Sequence, residues 1–176
     1  MALNDATWVH LFGIFAYREA KDGAIVIDPA WVAQNIRTIN APFAMPTYGG
    51  GVTRRIQCHR LVVKSLLGAL GDLADQGLES LITFYGGMFV PRHQYHRASN
   101  PLSRHSWGAA IDLNPTTYPV GAHIEQDDQL IEIMAAHGFG YGGGHSPGAS
   151  AIARAHALWR STQDPMHMEW ALPQLP

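Results

Sequence analysis

The chain reads as an α+β protein built around a small antiparallel sheet flanked by helices. Three observations predict this: helical apolar spacing in two well-separated stretches, short runs of strand-forming residues outside them, and no regular alternation of the two kinds. At 176 residues, 47% apolar and 15% charged, the chain has the length of one domain, taken here as 1–176, and can bury a core without disulfides. Twelve basic against fourteen acidic side chains leave no polycationic surface, so nucleic acid is excluded as a partner. Cys58 stands alone and is expected to be a small buried apolar residue. No window reaches the ~18 apolar residues of a membrane span, and MALNDATWVHLFGIF lacks a basic leader. The expectation is a monomer, made in the cytoplasm without a signal peptide and not inserted into a membrane.

Asp28 as N-cap and Pro29 at the first helical position predict a helix over 28–39, with Trp31, Val32, Ile36 and Ile39 on one side. APFAMPTYGGGV then breaks it, and Gly49–Gly51 form a flexible connection with no assigned function. Val62, Val63, Leu66, Leu67, Leu70 and Leu73 place a core helix between 59 and 76, stopped by Gly77. LESLITFY, 78–85, reads as a strand entering a glycine loop, and AAIDL, 109–113, as a second strand. Residues 127–137 repeat the pattern of helix then glycine, and Ser146-Pro147 opens a further helix through Trp159. MHMEWAL, 166–172, alternates as a strand.

With ten histidines in the chain, only grouping and spacing carry information. Two groups stand out, SRHSWGAAIDL at 103–113 and DPMHMEW at 164–170. In the first, a strand through 109–113 sends Ile111 and Leu113 into the core and turns Asp112 the opposite way, toward His105. In the second, alternation puts His167 and Glu169 on one face and Met166, Met168 and Trp170 on the other. His105, Asp112 and His167 then converge, and two imidazoles with one carboxylate leave a fourth tetrahedral zinc position open to solvent, as a catalytic site requires. Asp164, three residues before His167, reaches that solvent as general base if Pro165 and Met166 make a turn. Arg92 is the candidate cation for the developing oxyanion.

Spacing alone leaves a second reading of each residue open. The triad can be a hydrogen-bonded polar cluster without metal, Asp164-Pro165 a plain turn pair, and Arg92 a salt-bridged arginine. Glu169 either orients a ligand histidine or pairs with a basic residue. His10, His59, His93, His96, His123, His137, His145 and His156 read as solvated or capping residues, with His96 and His145 as the substitutes for a ligand. The G-x-G-x-x-G at Gly138, Gly140 and Gly143 follows a helix, not a strand, and reads as a turn beside the site. The tryptophans and methionines read as core and cleft-wall residues.

S-x-H-x-x-G-x-A-x-D followed by D-x-x-H-x-E-W resembles the zinc D-alanyl-D-alanine carboxypeptidase and L-alanyl-D-glutamate endopeptidase family, whose fold is shared with the Hedgehog signalling domain. The similarity runs from the helix near Trp31 to the C-terminus and includes YGGMFVPR, 85–92, and HGFGYGG, 137–143. It implies one zinc ion on His105, Asp112 and His167, a catalytic carboxylate at Asp164, a transition-state arginine at Arg92 and substrate contact at Ser103. Two differences stand out: the base is Asp where some relatives have Glu, and 144–163 reads as an inserted helical segment, variable within the family.

The resemblance implies a cleft roofed by loops around 86–104 and 140–163, with peptidoglycan stem peptides as substrate. The expected activity is that of a phage-endolysin-like or virion-associated endopeptidase acting on the cell wall. A D-alanyl-D-alanine carboxypeptidase is the alternative within the class. A non-catalytic zinc-bearing wall-binding module is the alternative outside it, against which the retained Asp164 argues.

Overall fold

The computed structural model describes residues 5–158 and 162–171. In chain order the helices are α1 (Asp5–Phe12), α2 (Pro29–Asn35), α3 (Val63–Asp75), α4 (Asp128–Ala136) and α5 (Ala151–Ala155). The strands are β1 (Tyr17–Glu19), β2 (Ile25–Ile27), β3 (Ile36–Pro46), β4 (Val52–His59), β5 (Tyr85–Gly87), β6 (Ala110–Leu113), β7 (Phe139–Tyr141) and β8 (His167–Trp170). β1–β2 and β3–β4 are antiparallel hairpins, and a four-stranded antiparallel sheet has the order β5-β6-β8-β7. The expected α+β class holds, with three small sheets in place of one. Among the described residues no helix is long and apolar enough to cross a membrane.

The core forms where the apolar spacing places it. Leu66, Ala69, Leu70 and Leu73 of α3 are buried against Leu130, Ile131 and Met134 of α4 and against β3. Each such leucine contributes roughly 1.5–3 kcal/mol. Gly77 takes the left-handed φ of 68° that ends α3, and Asp127 caps α4 by accepting from the Gln129 amide at 2.9 Å. An unforeseen α1 adds Trp8 and Phe12 to an aromatic layer with Phe15, Trp107 and Trp170. Cys58 is fully buried, which pushes its thiol up to about 12.

The expected helix 28–39 stops at Asn35. Asp28 caps it as foreseen, accepting from the Ala30 amide at 2.9 Å, but the Asn35 side chain donates to the Trp31 carbonyl and Arg37 to those of Ala33 and Gln34. These bonds satisfy the terminal carbonyls, and the β-branched Ile36, Thr38 and Ile39 then pair with β4, Ile39 opposite Ile56. APFAMP is no break but the bulged half of β3, whose register shifts between Asn40 and Met45 around Pro42. Gly49 and Gly50, at φ of 81° and 77°, make the hairpin tip, so the connection formed by the glycine run is the turn between β3 and β4.

The strand expected over 78–85 pairs only at Tyr85. Residues 79–81 form a 3-10 turn, and Asn114 takes the place of a neighbouring strand: its Oδ1 accepts from the Thr83 and Phe84 amides at 2.7 and 3.0 Å, and its Nδ2 donates to the Leu81 carbonyl at 2.8 Å. The helix expected to open at Ser146 begins instead after Ser150, whose hydroxyl accepts from the Ala153 amide at 2.9 Å, and α5 ends at Ala155. Trp159, its expected end, lies outside the described residues.

His59, expected among the solvated or capping histidines, is buried between Phe12 and Trp31, with its Nδ1 accepting from the Leu61 amide at 3.2 Å. Burial, then the positive charges of Arg60 and Arg37, pull its imidazole down to about 4. An unfolded chain therefore takes up a proton near pH 6.5 that the folded chain refuses until about 4. Stability contributed by neutral His59 is complete above pH 6.5 and is lost as the pH falls toward 4. Urea-denaturation midpoints measured between pH 7 and 4.5 should fall for the wild type and follow a flatter line for His59→Gln; parallel lines would contradict this.

Candidate metal centre

The motif at 103–113 folds as one unit. Ser103 caps a 3-10 turn over Arg104–Trp107, accepting from the His105 amide at 3.4 Å. Gly108 ends the turn at a left-handed φ of 66°, where a Cβ would meet the His59 amide at 3.0 Å, so glycine is required twice over. The chain then enters β6 through the fully buried Ala109 and Ala110. As the alternation predicts, Ile111 and Leu113 are buried in the core and Asp112 turns toward His105.

β8 lies beside β6 with Asp112 opposite His167 and Ala110 opposite Glu169. Ahead of it, the Asp164–His167 turn is closed by the His167 amide donating to the Asp164 carbonyl at 3.0 Å. On the far side, the chain leaving β7 approaches at Gly142, where a Cβ would collide with the carbonyl oxygens of Asp164 and His167. The glycine-rich segment thus follows the helix into a strand and loop packed against the site, where only bare backbone fits.

Three atoms meet. His105 Nε2 lies 3.2 Å from Asp112 Oδ1 and 3.2 Å from His167 Nδ1, and the last pair, His167 Nδ1 and Asp112 Oδ1, are 3.3 Å apart. One ligand atom from each residue lies within 4.8 Å of the other two, and all three residues are buried. The opposite ring nitrogens face acceptors. His105 Nδ1 is 3.1 Å from the Met88 carbonyl, and His167 Nε2 is 3.3 Å from Glu169 Oε2. Protons on those nitrogens leave the lone pairs of His105 Nε2 and His167 Nδ1 aimed at each other and at a carboxylate oxygen. Such a convergence of donors suits a divalent cation of the zinc type.

Burial pushes the Asp112 carboxyl up, but when the two imidazoles are doubly protonated instead of holding a cation, the charges and hydrogen bonds of His105 and His167 outweigh it and hold the group well below the usual carboxylate range. Its other oxygen, Oδ2, stands 3.8 Å from Arg92 Nη2. Arg92 is itself fixed by Ser106, whose hydroxyl accepts from the Arg92 amide and donates to the Arg92 carbonyl at 3.0 and 2.9 Å. Glu169 is almost fully buried: Oε2 faces His167, and Oε1 stands 4.0 Å from Arg104 Nε. Arg104 in turn lies over the Trp8 ring at 4.4 Å.

One cleft is lined by all three triad residues together with Arg92, Ser103 and Asp164. Its remaining walls are Gln94, Tyr95, His96, Val120 and Met166, of which sequence reasoning missed Val120. The expected roof is half right. Residues 92–103 supply one wall, but no described residue of 140–163 lines the cleft; Tyr141, Gly144, Ser146 and Gln163 bond Glu125 instead. His96 reaches the cleft without joining the triad, while His145 bonds the Leu158 carbonyl at 2.7 Å. His93, read as solvated, is buried and held between Glu19 and the Asn100 carbonyl. Ser106 and Asn114 gave no sequence signal beyond being polar.

Residues 96–148 match the family model described as D-alanyl-D-alanine carboxypeptidase. No curated protein and no solved structure matches the chain. The matched span holds His105 and Asp112; Arg92 lies before it, and Asp164 and His167 after it. Over that stretch the chain is similar to peptidases of this family, and the triad supplies the donor set of a metal site. Because Glu169 orients His167, Glu169→Gln should weaken zinc binding about 10- to 100-fold in chelator competition. An unchanged affinity would leave Glu169 with only its pairing to Arg104.

Proposed function

We propose that this peptidase hydrolyses peptide bonds in the stem peptides of bacterial peptidoglycan, as an endopeptidase of the L-alanyl-D-glutamate kind. The observation that carries the reading is the sharing of one cleft by Asp164, Arg92 and the triad. His105, Asp112 and His167 would hold one zinc ion, which when bound polarises the scissile carbonyl and eases deprotonation of water. Asp164 takes the proton from the attacking water and returns it to the leaving amine. Arg92, directed into the cleft beside Asp112, offers positive charge to the oxygen on which charge develops. Ser103, at the cleft wall and capping the His105 turn, contacts the substrate.

The same proposal takes the fold to be that shared with the Hedgehog domain, in one domain acting as a monomer, and takes 144–163 as a family-variable insertion. The protein would work on the cell wall in the manner of a phage lysin, released to it or carried by the virion. A second reading, a D-alanyl-D-alanine carboxypeptidase, is favoured by the description of the matched family.

Analysis of products from purified cell walls separates the two. New N-terminal glutamate is expected, whereas free D-alanine with no internal cut would establish the carboxypeptidase. Asp164→Ala should lower turnover by about 10²- to 10⁴-fold with zinc content retained. Undiminished hydrolysis by that variant would remove Asp164 as the base.

A further inference from the structure

A second groove continues from the metal cleft and shares Arg92, His96, Asp112, Val120 and Met166 with it. Its outer reach is lined by Tyr48, Gly86, Val90, Pro115 and Pro119. Every charged side chain in this lining belongs to the shared end beside the triad, and the outer part offers only apolar surface, bare backbone and one phenol. Tyr48 stands at the tip of the β3–β4 hairpin, 66% exposed, with its ring edge-on to Phe84 at 4.7 Å. The hairpin tip is shaped for this place. Gly49 and Gly50 turn at positive φ, and the Thr47 amide donates to the Gly51 carbonyl at 2.9 Å.

An occupant of the outer groove must be continuous with the peptide at the metal, electrically neutral, and able to lay a flat C–H face on an aromatic ring. In a stem peptide the second and third residues carry an ionised carboxylate or amine, and the alanines offer a single methyl with no flat face to lay on a ring. The N-acetylated sugar that bears the stem is neutral once its lactyl carboxyl is amidated, and its axial C–H bonds form such a face. We propose that this groove is a subsite for the N-acetylmuramoyl ring, with Tyr48 as its stacking platform. The inference rests on the stem-peptide reading and deepens it: a sugar held there puts the cut at the glycan-proximal end of the stem.

Two measurements test it on wild type, Tyr48→Ala and Tyr48→Trp. In the first, KM is compared for a free stem peptide and the same peptide carrying N-acetylmuramic acid. Wild type and Tyr48→Trp should prefer the muramoyl form by roughly five- to tenfold, and in Tyr48→Ala the two values should converge. In the second, the neutral amide of N-acetylmuramic acid is titrated against the zinc-loaded protein and followed by NMR, which needs no turnover. Saturable binding lost in Tyr48→Ala supports the subsite. Equal preference in wild type and Tyr48→Ala, or no binding that depends on Tyr48, overturns it. Cleavage of neither peptide by the wild type would count against the peptidase reading, and the titration would still decide the subsite.

Discussion

Two imidazole nitrogens and a carboxylate oxygen, all buried and all within hydrogen-bonding distance of one another, set the terms for the rest of this structure. Three electron-rich atoms packed so closely away from water are costly unless a cation or proton sits among them. The surrounding chain has to supply the rigidity that holds them there. It does so by placing two of the three on paired strands, Asp112 facing His167 across β6 and β8, and the third on a 3-10 turn that runs directly into β6. β8 is an inner strand flanked by β6 and β7, so its backbone is bonded on both sides and its histidine has little freedom to retreat.

Support continues outward in layers. Met88 and Glu169 fix the ring orientations, Arg104 is placed by Glu169 and the Trp8 ring, and Trp8 belongs to the aromatic layer behind the turn. A buried carboxylate such as Glu169 would be expensive alone; between an imidazole and a guanidinium it becomes part of the scaffold. Small residues have a matching purpose. Gly108, Ala109, Ala110 and Gly142 keep neighbouring backbone close enough for the strands to meet, and side chains there would push the ligands apart.

What could be read from the sequence was local. Period-two alternation gave the facing of Ile111, Asp112 and Leu113, helical spacing gave the buried faces of α3 and α4, and Asp28, Asp127 and Gly77 marked helix ends correctly, because each depends on neighbours a few residues away. The triad was legible for the same reason: each of its two motifs folds as one short unit. Contacts between distant segments were not. Asn114 satisfies the backbone of 81–84 from 30 positions further on, so a stretch with strand composition is held without a strand partner. Ile36 and Ile39 suit a helix face and a strand face equally well, and β4 decided between them. His59 and His93 look like any surface histidine until Phe12, Trp31, Glu19 and Asn100 close around them.

The segment 144–163 shows how chemistry and selection can be separated in such a fold. Glu125 accepts from Ser146 and Gln163 with one oxygen and from the Tyr141 hydroxyl and the Gly144 amide with the other. Burial would raise its carboxyl, yet these four donors hold it below its ordinary range, so it stays ionised and binds three stretches of chain together. Gln163 directly precedes Asp164, and the Asp164 amide donates to the Gly142 carbonyl at 2.9 Å. The clamp therefore fixes the approach of the chain to Asp164. The cleft walls come from elsewhere, the 92–103 loop and Val120, with Tyr48 of the β3–β4 hairpin lining the adjoining groove. Among the described residues of 144–163 none lines the cleft, so this part of the chain bears on the position of Asp164 and not on the cleft surface.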